Sequence, residues 1–207
     1  SSGVDTSVFS RTIQEQRKAL VEDRLSSVEL VALYLARIDR FNTKLNAFAA
    51  VFAEEALRAA AEADEARALG KSTGVLEGIP FGLKDIIEYQ DHPASWGSRA
   101  LEGRRSPMSA TVVQKLQDAG AIIIGKTNTS EFGHIGTNEN RLGDACRNPW
   151  NIEYTSGASS GGAAASVAAG ITSIAQGSDG GGSVRIPSAM CGLFGIKASQ
   201  GRVPRRD

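Results

Sequence analysis

The sequence predicts an α/β fold in which helices alternate with the strands of a largely parallel sheet. Two observations lead to this prediction. Segments with apolar residues at helical spacing recur along the chain, and short runs rich in β-branched residues, such as AIIIG at 121–125, stand between them. This alternation is typical of parallel sheets, because a crossover helix must return the chain before the next parallel strand can begin.

Residues 1–70 are predicted to form a layer of helices. A surface helix is expected within 7–24, where a few apolar residues recur at helical spacing among many charges. Ser26 and Glu29 form a capping box, which predicts the start of a second helix. An Ala/Glu-rich third helix at about 53–69 should end at the glycine that follows it. The buried face of the second helix is predicted to consist of Val31, Tyr34, Leu35 and Ile38.

The strands are predicted beyond this helical layer. GIPFGLKD at 78–85 has the composition of a short buried strand. A helix over 109–116, closed by the glycine at position 120, should lead into the AIIIG strand. A helix of small residues at 159–170 is expected to pack closely against the sheet, and a strand at 171–175 should follow it.

The composition argues against several classes of function. Lys and Arg together number 23, as do Asp and Glu, so the net charge is zero and neither nucleic acid nor a charged membrane surface is expected as a partner. Cys146 and Cys191 lack the CxxC spacing of metal or redox sites and are expected to be reduced thiols of a cytoplasmic protein. No stretch approaches about 18 consecutive strongly apolar residues, so no membrane span is predicted.

A glycine-rich segment at 177–187, GSDGGGSVRIP, is predicted to be the centre of the functional site. Ser183 follows three consecutive glycines, whose backbone can adopt positive φ or approach a ligand closely. Successive N–H groups in such a turn form a concave anion site, which can serve as an oxyanion hole when a hydroxyl stands at its end. A flexible linker is the alternative, but the apolar runs at 171–175 and 186–198 indicate buried segments on both sides.

Residues 120–127, GAIIIGKT, match the phosphate-binding pattern GxxxxGK[ST], which raises the alternative of a P-loop nucleotide-binding protein. In a P-loop the four central residues surround the phosphate after the strand has ended. Here those four residues form the predicted strand itself, and the segment that follows is a poor helix former. We therefore interpret the match as accidental, and ATP binding that depends on Lys126 would be the test.

The sequence does not identify a histidine as the base that would activate Ser183. Only His92 and His134 are present in the sequence, and no GxSxG motif accompanies Ser183. Lys84 is a candidate, because it ends an apolar strand and burial would lower its pKa enough to leave it a neutral base. A salt bridge with Asp85 would account for the same lysine equally well.

The serines of GASSGG at 157–162 also have two interpretations. Ser159 and Ser160 stand at the predicted start of a helix, where a serine commonly caps the first turn. The alternative is a hydroxyl that relays a proton between a lysine base and the nucleophile. The residues alone do not decide between these roles.

Three motifs in this order resemble the amidase signature family: GIPFGLKD, GASSGGAAASVAAG and GSDGGGSVRIPSAMCGLFGIKAS. AGAIIIGKTNTSEF and RNPWN between them resemble it as well, so the resemblance spans residues 78–203. It implies a single amidase domain over 1–207, with 1–70 as a helical layer and 71–207 as the catalytic core. The fold that it implies is a mixed, twisted central sheet covered by helices, incomplete in this chain.

The resemblance also implies a Ser–cis-Ser–Lys triad made of Ser183, Ser159 and Lys84. Ser183 would attack the amide carbonyl, and Ser159 would pass its proton towards neutral Lys84. Asp179 and Arg185 match the charged pair of the motif and are expected to hold the loop. The oxyanion-hole amides of the family correspond to those of Gly180, Gly181, Gly182 and Ser183.

Three positions depart from the usual pattern of the family. Ala158 stands where a glycine usually precedes the cis serine, Ser178 replaces a threonine, and Gly180 replaces a larger residue. A cis bond before a residue other than proline costs about 3–4 kcal/mol, and a side chain before it adds crowding. The other two changes predict a looser loop or a wider pocket, and neither removes a catalytic group.

The resemblance implies hydrolysis of a carboxamide or related acyl–nitrogen bond through a serine acyl-enzyme, without a metal or an organic cofactor. An alternative within the family is the glutaminase subunit of a tRNA-dependent amidotransferase, which works with partner subunits. The expected partners are otherwise a small-molecule amide substrate and a C-terminal half of the same enzyme, because this chain resembles the N-terminal half of family members. The resemblance also allows a homodimer.

Overall fold

The structure, a computed structural model, describes residues 6–71 and 74–204. Within these residues the chain forms six α-helices, six β-strands and three short 3₁₀ helices, at Thr6–Ser10, Arg99–Leu101 and Glu131–Gly133. The α-helices are α1 (Ile13–Val21), α2 (Ser27–Leu45), α3 (Ala53–Ala68), α4 (Thr111–Asp118), α5 (Gly161–Ala168) and α6 (Arg185–Met190). The strands are β1 (Phe48–Val51), β2 (Pro80–Lys84), β3 (Ile122–Thr127), β4 (Arg147–Asn148), β5 (Asn151–Thr155) and β6 (Ile174–Gln176). None of the described helices is both long and apolar enough to cross a bilayer.

A four-stranded mixed sheet forms the centre of the molecule, with the strand order β1-β3-β2-β6. β2 runs parallel to β3 and β6, whereas β1 runs antiparallel to β3. The register places Lys84, at the carboxyl end of β2, opposite Thr127 of β3. The predicted α/β fold with a mixed sheet flanked by helices is therefore confirmed. A separate antiparallel pair is formed by β4 and β5.

The structure adds a strand to the region that the sequence predicts as purely helical. β1 lies between α2 and α3 and pairs with β3, with Phe48 opposite Thr127 and Val51 opposite Gly125. The preceding helix ends where Asn46 adopts a left-handed conformation (φ +48°). The FAAV run that follows is too short to show a periodicity, so its pairing with β3 decides that it is a strand.

The first two α-helices, α1 and α2, begin at capping boxes. At the predicted box of α2, the Ser26 hydroxyl accepts the Glu29 N–H at 3.0 Å, and the Glu29 carboxylate accepts the Ser26 N–H at 2.8 Å. α1 is shorter than the predicted 7–24 helix, because a capping box between Thr12 and Glu15 delays its start. Of the predicted buried face of α2, Val31, Tyr34 and Ile38 are buried and Leu35 is half-buried.

The predicted elements of the second part of the chain are present, with ends that differ by a few residues. The strands predicted at 78–85, 121–125 and 171–175 correspond to β2, β3 and β6. The helices predicted at 109–116 and 159–170 correspond to α4 and α5. β3 ends at Thr127, two residues beyond the predicted strand at 121–125, and it therefore includes Lys126.

The core lies where α2, α3 and α5 meet the sheet. α2 packs on α3, α3 contacts β3, and α5 contacts β2, β3 and β6. α5 approaches closely, as its small residues predict: a Cβ at Gly162 would lie 2.5 Å from the carbonyl oxygen of Ala47. The largest apolar members of the core cluster are Leu20, Leu30, Tyr34, Ile38, Leu45, Phe48, Ile79, Ile122, Ile124 and Ile171.

The apolar segment at 186–198 is less buried than predicted. Ile186 and Met190 are exposed to a considerable degree, Phe194 is 91% exposed and Ile196 is 72% exposed. β6 is an edge strand, and within the described ranges 6–71 and 74–204 no further layer covers these side chains. The prediction of burial is therefore wrong for these four residues, because hydrophobicity alone does not show what packs over a segment.

Candidate active site

Lys84 is the last residue of β2 and is completely buried. All five residues of β2 are buried, as is typical of a strand with parallel neighbours on both sides. Nζ of Lys84 donates a hydrogen bond of 2.6 Å to Oγ of Ser159 and another of 2.9 Å to Oγ of Ser178. The structure thus brings the predicted base into direct contact with the predicted relay and with a third serine.

Burial controls the protonation of Lys84. Loss of hydration lowers the pKa of its ammonium group from 10.5 to about 7, while the carboxylate of Asp179 acts in the opposite direction. A large fraction of the side chain is therefore the neutral amine near pH 7. Because a neutral amine has a lone pair, it can accept a proton from the Ser159 hydroxyl beside it.

Ser159 lies directly before Ser160, the residue that flanks the start of α5. The peptide bond between Ala158 and Ser159 is cis. Ser160 makes no side-chain cap on the helix. Its hydroxyl oxygen instead accepts the Ser178 N–H at 3.2 Å and donates to the Ser178 carbonyl oxygen at 3.2 Å. Both serines therefore contact other groups rather than capping the helix.

Ser183 is half-buried and lies in the glycine-rich loop, defined here as residues 177–184, which connects β6 to α6. The carbonyl oxygen of Ser183 accepts the backbone N–H of Ser160 at 3.1 Å. This bond holds the backbone of the predicted nucleophile against the residue next to Ser159. The glycine-rich loop thereby joins the segment that carries the relay and the lysine at the end of β2.

Asp179 organises the glycine-rich loop. Its carboxylate accepts the backbone N–H groups of Gly182 (2.8 Å), Val184 (3.2 Å) and Arg185 (3.3 Å). It also accepts Nε and Nη2 of Arg185, both at 2.9 Å. The Arg185 guanidinium and these N–H groups hold the pKa of Asp179 well below its usual range. A carboxylate with five donors fixes the shape of this turn.

The four predicted oxyanion-hole amides differ in their hydrogen bonding. The Gly182 N–H donates to Asp179 and is not available to a ligand. The N–H groups of Gly180, Gly181 and Ser183 form no hydrogen bond with any residue that the structure describes. Gly180 and Gly181 are exposed, so their amides can meet a molecule that approaches the loop. Three of the four amides thus have no hydrogen-bond partner among the described residues.

Lys126 is a second buried lysine, on β3, and it does not belong to a P-loop. Its Nζ donates to the carbonyl oxygens of Asp85 (3.1 Å) and Ile87 (2.7 Å) and lies 3.7 Å from Oδ1 of Asp85. Within GAIIIGKT, residues Ile122–Thr127 are strand, and only a 3₁₀ turn follows before β4. The nucleotide-binding alternative is therefore wrong, since neither the loop nor the helix exists. Asp85 also pairs with Lys126 rather than with Lys84.

The histidines and cysteines lie apart from the contacts of Lys84. His92 stacks on Tyr89 with ring centroids 3.8 Å apart, and its ring nitrogens bond Glu55 and the Gln90 carbonyl oxygen, both at 2.7 Å. His134 is exposed on the loop after the 3₁₀ turn at Glu131–Gly133. Within the described residues, no hydrogen bond or ion pair joins either histidine to Lys84, Ser159 or Ser183. Cys146 and Cys191 are free, buried thiols, and burial raises the pKa of both.

Sequence reasoning missed two residues of the site, Ser178 and Gly133. In the sequence Ser178 is only a departure from a family pattern, although a hydroxyl beside Asp179 in the glycine-rich loop could have indicated a contact. Gly133 carries no signal. A Cβ at Gly133 would lie 3.1 Å from Oγ of Ser159, so a larger residue there would press on that hydroxyl. The neighbouring residues Phe132 and Ile135 belong to the lining of a cleft of about 590 Å³.

Comparison with known proteins identifies amidases and amidotransferase subunits as relatives of this chain. Residues 29–207 match the family described as Amidase. A subunit of the glutamyl-tRNA(Gln) amidotransferase of Anaeromyxobacter sp. (strain K) is 46% identical over 193 residues, which are 93% of this chain and 39% of that protein. This chain superposes with a TM-score of 0.92, at 31% identity, on a chain of an inhibitor-bound protein complex. That complex is described as vestigial and as revealing the evolutionary origins of an s-triazine catabolic enzyme. A bacterial aryl acylamidase of the amidase signature enzymes superposes with a TM-score of 0.83 at 33% identity.

These matches cover most of this chain but less than half of each relative. The two solved structures are matched over 95% and 86% of this chain, and over 43% and 37% of their own. The family match includes Lys84, Ser159 and Ser183. The chain therefore belongs to the amidase signature family.

Proposed function

We propose that this chain carries the catalytic residues of an enzyme that hydrolyses a carboxamide through a serine acyl-enzyme, and that the carboxamide is that of glutamine. The observation that carries the proposal is the 2.6 Å contact between the Lys84 amine and the Ser159 hydroxyl. A buried amine with a pKa near neutrality and a hydroxyl within hydrogen-bond distance form a pair that can transfer a proton. The glycine-rich loop carries a second hydroxyl, that of Ser183, whose backbone carbonyl oxygen accepts the N–H of Ser160, the residue after Ser159.

Acylation begins at Ser183, the nucleophile. Its Oγ forms a bond to the amide carbon, and the π-electron pair of the carbonyl group moves onto the oxygen. The proton of the Ser183 hydroxyl passes to Oγ of Ser159, and the proton of Ser159 passes to Nζ of Lys84, which becomes an ammonium group. The lysine thus stores one proton while the tetrahedral intermediate exists.

Collapse of the intermediate returns this proton. The Lys84 ammonium group gives a proton to Ser159, Ser159 gives its own to the leaving nitrogen, and the carbon–nitrogen bond breaks. The amine departs and the acyl group remains on Ser183. Water then attacks the ester through the same relay and releases the carboxylic acid.

The open amides of the glycine-rich loop stabilise the negative oxygen. Gly180, Gly181 and Ser183 provide N–H groups without a described partner, and preorganised donors of this kind strengthen their bonds as charge develops. Gly182 supports the loop instead, because its N–H is held by Asp179. Asp179 and Arg185 therefore serve to hold the donors in place.

Glutamine is favoured by the relatives. The amidotransferase subunit of Anaeromyxobacter is 46% identical to this chain, whereas the aryl acylamidase is 33% identical. In an amidotransferase such a subunit works with other subunits, and we propose the same for the protein that contains this chain. The plain amidase is the second candidate, favoured by the close structural match to amidases with other substrates.

A further part of the polypeptide is proposed to complete the substrate site. This chain spans 39% of the length of the matched amidotransferase subunit. Phe194 and Ile196 are exposed shortly after the glycine-rich loop, and an apolar surface of this kind is suited to be covered by another layer. We propose that a C-terminal part of the same enzyme covers this surface.

The test uses the full-length protein and its Ser183→Ala variant. Ammonia release from glutamine should fall by about 10⁴- to 10⁶-fold, because the nucleophile is removed while little packing changes. A serine-directed covalent probe should label the wild type and not the variant, and circular dichroism should show that both are folded. Labelling of Ser183→Ala at the full rate would contradict the proposal. Stimulation by partner subunits would favour the amidotransferase, and turnover of a simple carboxamide without partners would favour the plain amidase.

A further inference from the structure

Lys84 has a second hydroxyl partner that the proposed reaction does not use. Its Nζ donates to Oγ of Ser178 at 2.9 Å, in addition to Oγ of Ser159 at 2.6 Å. Ser178 lies in the glycine-rich loop, whereas Ser159 lies before α5. The amine therefore stands between two hydroxyl groups that come from different segments.

The chemistry of the neutral amine makes this second partner important. A neutral primary amine has two N–H bonds and one lone pair, and it can rotate about the bond to its carbon. Only an amine whose lone pair faces Ser159 can take the proton of that hydroxyl. An acceptor that takes one of the N–H bonds selects this rotation, because the lone pair then points away from the acceptor.

We infer that Ser178 is a positioning residue whose hydroxyl oxygen accepts one N–H of Lys84 and thereby turns the lone pair of the amine towards Ser159. This inference rests on the proposed function, since it assigns a task within the proposed proton relay. It also links the base to the loop that carries Ser183. A displacement of that loop would change the orientation of the base as well as the position of the nucleophile.

The backbone of Ser178 is held independently of its side chain. Its N–H donates to Oγ of Ser160, and its carbonyl oxygen accepts the Ser160 hydroxyl, both at 3.2 Å. A change of the Ser178 side chain therefore leaves these two bonds in place. This makes the position suitable for a test that removes the hydroxyl alone.

The charged groups around Lys84 are few, which simplifies the test. Asp179, in the same loop as Ser178, is the carboxylate that acts on the lysine and raises its pKa. Lys126, on the neighbouring strand β3, bonds the carbonyl oxygens of Asp85 and Ile87. From the side of α5 the described contacts of Lys84 are made by the Ser159 hydroxyl.

The experiment compares Ser178→Thr with Ser178→Val in the full-length protein. Threonine and valine have nearly the same shape, so both introduce the same extra methyl group and only threonine keeps the hydroxyl. We expect Ser178→Thr to retain the wild-type rate and Ser178→Val to lose about 10- to 100-fold in kcat, as for other misplaced catalytic groups. KM should be equal in the two variants, because the inference assigns Ser178 a contact with Lys84 and none with the substrate.

The pH profile separates positioning from a general loss of structure. In Ser178→Val the ammonium form of Lys84 loses one of its two acceptors, so its pKa should fall and the rise of kcat/KM should move to lower pH. A loosened, more hydrated site would instead raise the pKa and move the rise to higher pH. Equal rates and profiles for the threonine and valine variants, or a shift of the valine variant to higher pH, would overturn the inference.

The same measurements distinguish this inference from the proposed function. If Ser183→Ala abolishes turnover while the threonine and valine variants behave alike, the inference fails and the proposed function stands. If Ser183→Ala retains turnover, the proposed function fails whatever the Ser178 variants do.

Discussion

Two buried lysines lie on neighbouring parallel strands of the sheet, and their ammonium groups have different hydrogen-bond partners. Lys84 ends β2 and Lys126 lies near the end of β3, and both have 0% of their surface exposed. Burial lowers the pKa of Lys84 to about 7 and that of Lys126 to about 8. Burial and a low pKa therefore do not distinguish a catalytic lysine from a structural one.

The partners make the distinction. Lys84 contacts two hydroxyl groups, each of which can give or take a proton. Lys126 contacts two carbonyl oxygens, which can only accept hydrogen bonds, and the carboxylate of Asp85. Proton transfer is open to the first lysine, whereas the second ties the turn after β2 to β3. The two hydroxyl partners thus support the proposed role of Lys84 as a base.

The largest expected difference between the two lysines is in activity. Lys84→Met should lower kcat/KM of the full-length protein by about 10²- to 10⁴-fold, because it removes the proposed general base. Lys126→Met should leave kcat of the folded protein near that of the wild type. The measurement is steady-state amide hydrolysis, corrected for the folded fraction by circular dichroism. A larger loss of kcat for Lys126→Met than for Lys84→Met would reverse the assignment of the two roles.

The second difference is in stability, with the opposite order. Lys126→Met should lower the free energy of unfolding by about 2–4 kcal/mol, because the carbonyl groups of Asp85 and Ile87 lose a buried donor. Lys84→Met should be as stable as the wild type or more stable by about 1–4 kcal/mol, because a costly buried cation is replaced by an apolar chain. Urea unfolding at pH 7 measures both changes.

The pH dependence of stability checks the cause of this second difference. The pKa of Lys84 is about 7 when folded and 10.5 as the ordinary value, so the unfolded chain binds more protons between these limits. The wild type should therefore gain stability as pH rises from about 7 towards 10.5. The advantage of Lys84→Met should be largest below pH 7 and smaller at pH 9. An advantage that grows with pH would contradict a buried cation as its source.

The smallest expected effects are those of the histidines. With the neutral form of Lys84 as the proposed base, kcat/KM should rise through about pH 7 and then level off. His92→Ala and His134→Ala should leave the position of this rise unchanged, since neither imidazole contacts the described relay. The profile of kcat/KM against pH in the three proteins is the measurement. If one histidine variant loses the rise while Lys84→Met keeps it, the serine–serine–lysine relay is wrong for this protein.

Local sequence signals predicted most of the elements that position the site. The capping box of Ser26 and Glu29 marks the start of α2, and the apolar runs before Lys84 and Lys126 mark β2 and β3. These signals depend on neighbouring residues, so they can be recognised in the chain itself. β1 could not be recognised in this way, because four apolar residues become a strand only through pairing with β3.

The sequence by itself determined which chemical groups are available: a lysine at the end of a buried strand, two serine clusters and a run of glycines with an aspartate before it. Only the tertiary structure decided how these groups are used. It showed that Lys84 meets Ser159 and Ser178 while Asp85 meets Lys126, and that Asp179 occupies the Gly182 amide. The physical reason is that hydrogen bonds and desolvation act over a few ångströms in space, between groups that lie far apart along the chain.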